Sequence, residues 1–241
     1  MDTLRLDTER HASAQLTGAA EPRLLAAARA DFSGLTLVPE RRKALGLFLR
    51  LLARGEITAH TAARVQAAYA PDRRDRRFLH AQARQEAFHA MLFDAVASWL
   101  GAPAIALATD PYAEFETRVI AAAQAGRHVE TVVATQGVLE ALGATLLWRL
   151  DAGLARHGCG FLRLRRALLR QEAAHHAFGA ERIVRWRGDG TLDANHFAEM
   201  AAPYLTLADR MIAAGGPALS HFGLTPAPLQ RELRDHLGII A

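Results

Sequence analysis

The chain is 241 residues long and 51% apolar, with a formal net charge of +4 and a single cysteine. That length and apolar share suffice for one well-buried domain, expected over residues 1–241. The lone Cys159 excludes an internal disulfide and any four-cysteine metal centre.

Ala, Leu and Arg are abundant and alternating β-branched runs are scarce, so an all-α chain is expected. The start, Met1-Asp-Thr-Leu-Arg-Leu-Asp7, is charged and lacks the apolar core of a secretory signal, which leads to the expectation of a cytoplasmic protein. Residues 1–37 read as a weakly patterned arm with one short helix, Glu21–Asp31. A first long helix is expected from Pro39, a residue suited to a first helical position, to Ala70. Pro71 ends it and Asp72 can cap a second, which runs to Leu100 and stops at Gly101-Ala-Pro103. A connection leads to Gly126, with a short helix starting at Asp110-Pro-Tyr112. The third helix, Arg127–Arg156, and the fourth, Phe161–Trp186, are separated by His157-Gly-Cys-Gly160. These four helices occupy residues 38–187. Gly188-Asp-Gly190 forms a loop, and residues 191–241 hold a fifth helix, Asp193–Ala213, and a tail broken by Gly215-Gly-Pro217 and Thr225-Pro-Ala-Pro228. The longest apolar run, Val132–Trp148, contains Gln136 and Glu140 and is too short to span a membrane, so no span is expected.

Two hexapeptides, RQEAFH at Arg84–His89 and RQEAAH at Arg170–His175, carry the chemistry. Residues three apart share a helix face, so Glu86/His89 and Glu172/His175 each aim a carboxylate and an imidazole at one point. Two such steps, joined by one inward Glu from each of two further helices, make a di-metal carboxylate site. Glu56 lies 30 residues before Glu86 with Pro71 at the midpoint. A hairpin folded there brings both to one level, each roughly 22 Å from the turn. Glu140 lies 32 residues before Glu172, and the midpoint, Arg156, adjoins the only strong breaker nearby. Glu130 is a competing carboxylate but sits roughly 15 Å too far from that turn. Ala59, Gly137 and Gly143, each one turn from a proposed ligand, would leave room for substrate or dioxygen; close helix packing is the alternative for the glycines. Gln136 either contacts substrate or is a buried, hydrogen-bonded amide. His60 and His176 can also face inward, His60 more plausibly as a satisfied core histidine and His176 beside the ligand His175.

The set Glu56, Glu86-x-x-His89, Glu140, Glu172-x-x-His175 resembles the ferritin-like non-haem di-iron carboxylate superfamily, and within it the oxygenase-type branch. The resemblance implies a ferritin-like four-helix bundle with a long crossover between helices two and three, plus the extra C-terminal helix. It implies those six residues as ligands of two Fe ions, with Fe/Mn or Mn pairs also compatible with oxygen and nitrogen donors. It further implies dioxygen as co-substrate, a small apolar organic substrate, and an external electron donor such as ferredoxin. Relatives often carry Asp or Glu just before the Glu of each Glu-x-x-His; here Gln85 and Gln171 stand there. Gln171 is expected to hold His89, and Gln85 to hold His175, as neutral partners. A tRNA-modifying hydroxylase of the same fold and a ferroxidase without organic substrate are the alternatives. Nucleic acid is disfavoured because the clusters Arg73–Arg77 and Arg163–Arg166 follow turns at opposite ends of such a bundle. A cage-forming iron store is disfavoured by the basic charge and extra segments, and a homodimer is an assembly the chain could form.

Overall fold

A computed structural model of the chain describes Ala26 and residues 37–105, 109–156 and 162–240; apart from Ala26 the expected arm helix, and with it the His157–Gly160 break and Cys159, lies outside the described residues. Among the described residues there are helices and turns and no strands. The long helices are α1 (Pro39–Tyr69) and α2 (Arg73–Trp99), followed by the shorter α3 (Pro111–Gln124). α4 (His128–Val132), a π-helical stretch (Val133–Leu139) and α5 (Glu140–Arg156) then follow without interruption. α6 (Leu162–Gly188), α7 (Ala194–Ser220) and α8 (Pro226–Ile240) complete the chain.

Local chemistry sets these boundaries. Ala70, before Pro71, is extended at φ −63°, ψ 130°, because the proline ring crowds the helical conformation of its predecessor. The Asp72 carboxylate then accepts from Arg74 N at 2.6 Å and caps α2. At the far end Gly101 takes φ +81°, and bonds from Ala102 N to Ala97 O and from Gly101 N to Ser98 O close a Schellman turn. Asp110 caps α3 through Tyr112 N and Ala113 N.

Apolar stripes join the helices. On α1, Leu45, Phe48, Leu49, Leu52, Ala59 and Ala63 are buried at three- and four-residue spacing, and Glu56 and Gln66 fall on the same face. α1 and α2 form an antiparallel hairpin around the Pro71 turn: His60 meets Ala83, and Arg50 pairs with Asp94. α2 and α6 are also antiparallel neighbours. The buried pair Asp75–Arg182 ties the start of α2 to the end of α6, Phe78 stacks on Phe178 at 4.1 Å, and Gln85 faces His175. α5 and α6 pair in the same sense, with Glu140 beside His175 and Gly143 beside Glu172. α7 covers α1 and α3, where Phe115 meets Tyr204 edge-on at 5.2 Å.

Three elements depart from expectation. The third helix is interrupted by the π stretch immediately before Glu140. α7 continues past Ala213 through Gly215, Gly216 and Pro217 to Ser220, because Gly215, Ala218 and Leu219 are buried against the bundle and that burial outweighs propensity. Residues 226–240 are helical where a broken tail was expected: Pro226 and Pro228 occupy the first turn, where a missing N–H removes no helical bond. Among the described residues one helix, His128–Gly153, is long and apolar enough to cross a membrane, and 78% of its apolar window is buried inside the bundle.

Candidate metal centre

Glu56 from α1, Glu86 and His89 from α2, Glu140 from α5, and Glu172 and His175 from α6 converge at mid-bundle. All six are at most 6% exposed. Ligand atoms of Glu56, Glu86, His89 and Glu172 lie within 4.8 Å of one another, and so do those of Glu86, Glu140 and His175. Glu86 belongs to both groups. Its Oε2 is 3.2 Å from His89 Nδ1 and its Oε1 is 2.8 Å from His175 Nδ1. His89 Nδ1 also lies 3.0 Å from Glu172 Oε1 and 3.6 Å from Glu56 Oε2, and His175 Nδ1 lies 3.7 Å from Glu140 Oε2.

Each imidazole is held from behind. His89 Nε2 is 2.8 Å from Gln171 Oε1, and His175 Nε2 is 2.8 Å from Gln85 Oε1. An amide oxygen only accepts, so Nε2 carries the proton in both rings, and in the neutral form Nδ1 presents its lone pair to the centre.

The inward atoms are otherwise unsatisfied. With both imidazoles neutral, Glu86 Oε1 and Oε2, His89 Nδ1, Glu172 Oε1 and His175 Nδ1 are buried without a hydrogen-bond partner. Each such group costs about 1–3 kcal/mol, and more when charged, unless something binds it. Converging carboxylate oxygens and imidazole nitrogens of this kind could hold a metal ion.

Electrostatics show how strongly the centre wants positive charge. Burial pushes Glu140 up, the Glu86 charge adds to it, and its carboxyl reaches about 8. Burial and then the Glu172 charge raise Glu56 in the same way. Burial opposes a proton on His175, yet Glu140 and Glu86 outweigh it and lift the ring to about 11. Glu172, Glu56 and Glu86 raise His89 likewise against burial. Glu86 moves the other way: burial would raise it, but the two histidines hold it far below the usual carboxylate range.

A narrow cavity of about 50 Å³ opens on the carboxylate side. Glu56, Glu140 and Glu172 form its polar end, and Phe48, Leu52, Tyr112 and Met211 are among its apolar walls. Ala59 and Gly143 line it. A Cβ on Gly143 would meet only Glu172 Oε2, at 4.0 Å. Gln136 and Gly137 do not line it. The π stretch turns Gln136 into a buried amide cluster with Gln66 and Gln82, and Gly137 faces Ile183 and Leu237. Glu130 is engaged elsewhere, accepting from Tyr204 Oη at 2.9 Å. His60 bonds the Ala83 carbonyl, and His176 packs against His236.

Gln82 was missed by the sequence reading. It donates to Glu140 Oε1 at 2.6 Å and lies one helical turn before Glu86, a spacing that could have marked it as inward-facing. No family model and no curated protein matches the chain.

Proposed function

We propose that this protein is a cytoplasmic non-haem di-iron oxidoreductase of the ferritin-like type, which uses dioxygen to oxidise a small apolar organic molecule. The observation that carries this reading is the meeting of two bridged donor sets, with orphaned lone pairs, at the end of an apolar cavity. The helix directions support the fold assignment. α2 is antiparallel to α6 and α6 to α5, so α2 and α5 run the same way, and the segment containing α3 serves as the long crossover.

Glu56, Glu86, His89, Glu140, Glu172 and His175 would hold two ferrous ions, which supply electrons for dioxygen reduction when bound. The chain's own part is positioning and exclusion. Glu86, with one oxygen toward each histidine, would serve both positions. Gln85 and Gln171 fix the tautomer and orientation of the imidazoles. Phe48, Leu52, Leu139, Leu142 and Met211 keep bulk water from the carboxylate side, and Gly55, Ala59 and Gly143 leave the space beside it. An external reductant, such as a ferredoxin, would return the centre to its reduced state.

One observation favours a second reading, an iron oxidase that takes no organic substrate. The cavity's 50 Å³ holds only the smallest of guests without rearrangement. The deciding experiment is anaerobic loading with two equivalents of Fe2+, then rapid mixing with dioxygen in the presence and absence of small apolar compounds. The oxygenase reading expects dioxygen consumption and an oxidised organic product. Consumption without product in any mixture supports the oxidase, and failure to bind iron or to consume dioxygen removes both.

A further inference from the structure

The two hexapeptides imply two equivalent metal positions, but the structure departs from that symmetry at three points. The first donor set has four members, Glu56, Glu86, His89 and Glu172; the second has three, Glu86, Glu140 and His175. Glu172, the counterpart of the shared Glu86, joins only the first set. The position four before each Glu of the repeat also differs: Gln82 precedes Glu86, and a buried Leu168 precedes Glu172.

Gln82 is the end of a directed chain of amides. Gln66 and Gln136 bond each other reciprocally at 3.0 Å. Gln136 Nε2 also donates to Gln82 Oε1 at 3.1 Å, and Gln82 Nε2 donates to Glu140 Oε1 at 2.6 Å. All three glutamines are at most 1% exposed. With its oxygen engaged by Gln136, the Gln82 amide cannot flip without breaking two bonds, so its N–H points at Glu140. Oε1 of Glu140 thus accepts from Gln82, and its Oε2 lies 3.7 Å from His175 Nδ1. Among the described residues no amide donates to Glu56 in this way.

Resting on the di-metal reading above, we propose that Gln82 is a positioning residue that holds the Glu140 carboxylate in place. The two metal positions are inequivalent: the Glu56/Glu86/His89/Glu172 position fills first, and the Glu86/Glu140/His175 position, which depends on Gln82, fills second and more weakly. The first position has four donor residues within reach and the second three. The bond from Gln82 supports the second position, because it holds the Glu140 carboxylate in place and stabilises its ionised form.

The test is calorimetric titration of the metal-free protein with Mn2+, which avoids oxidation, on the wild type and on Gln82→Met, an unbranched replacement of similar volume. The wild type should show two resolved steps. Gln82→Met should leave the first step and the helical circular dichroism unchanged while weakening the second step by about 10–100-fold. His175→Ala should abolish the second step and keep the first. A single step of two equivalent ions, or a Gln82→Met variant in which both steps or neither shift, overturns the proposal while leaving the di-metal reading intact. A wild type that binds no metal removes both.

Discussion

Gln171 on α6 accepts from His89 on α2 at 2.8 Å, and the same relation recurs between Gln85 on α2 and His175 on α6. Each hexapeptide thus supplies the partner for the histidine of the other. The two helices cannot slide past one another without breaking both bonds, so the register of α2 on α6 and the aim of both imidazoles are one constraint.

Gln171→Leu should therefore preserve the helical fold and weaken metal binding by about 10–100-fold. Gln171→Glu should restore affinity at neutral pH, because a carboxylate accepts the same N–H and makes the ring a stronger donor. Competition with a chromophoric chelator measures both. Equal affinity in wild type and Gln171→Leu would count against the role.

Glu86 and Glu140 should differ in what their loss removes. Glu86 offers one oxygen to each donor set, so Glu86→Ala should disable both positions. Glu140 belongs to the second set alone, and Glu140→Ala should leave about one ion per chain. Elemental analysis after desalting reads the stoichiometry. Identical losses in the two variants would refute the bridging assignment.

Protons should compete with metal, and the sign follows from the shifts. His175 is raised to about 11 from 6.5, so its stabilising proton is fully present below 6.5 and is lost as the pH rises through 11. Glu140, raised to about 8 from 4.5, acts in the same direction between those values, because the folded protein keeps a proton that the unfolded chain has released. The metal-free protein should lose stability from mildly acidic to alkaline pH, while a bound divalent ion replaces the protons and flattens the trend. Thermal unfolding of chelator-treated and Mn2+-loaded protein across that range tests this. A metal-free Tm that climbs with pH would contradict it.

Gly179 on α6 lets that helix approach the π stretch. A Cβ there would lie 2.4 Å from Gln136 Cβ and 3.2 Å from the Gln136 carbonyl carbon. Because backbone blocks the space, Gly179→Ala should destabilise the protein by about 1–3 kcal/mol despite the better helix propensity of alanine. Urea unfolding would show it, and a stabilised variant would mean that the contact is not tight.

The sequence was most readable where a single side chain carries a local constraint. Pro71 and Asp72 fix the first hairpin, Gly101 its end, and the three-residue spacing of Glu86/His89 and Glu172/His175 the shared face. Cooperative features were hidden. Nothing in Val133-Ala-Thr-Gln-Gly-Val-Leu139 distinguishes a π stretch from an ordinary apolar helix, because its stability comes from packing against α6 and α7. Gln66 and Gln82 look like ordinary helix formers until three helices bring their amides together. Gly215-Gly-Pro217 reads as a break because local propensity opposes a helix there, and only burial against Leu51 and its neighbours reverses the balance.

The π stretch also gives one helix a tolerance in length. It is the wide turn through which the chain passes before reaching Glu140. A π turn bonds i to i+5 and so takes up one residue more than an α turn. Removing one residue within Val133–Leu139 would let the backbone relax to ordinary α-helical winding while the segments on either side keep nearly the same phase. Glu140 would still face the centre, and the loss would fall on the buried amide cluster that Gln136 joins from inside the stretch. The same deletion within α5 would instead turn every following side chain by about 100°.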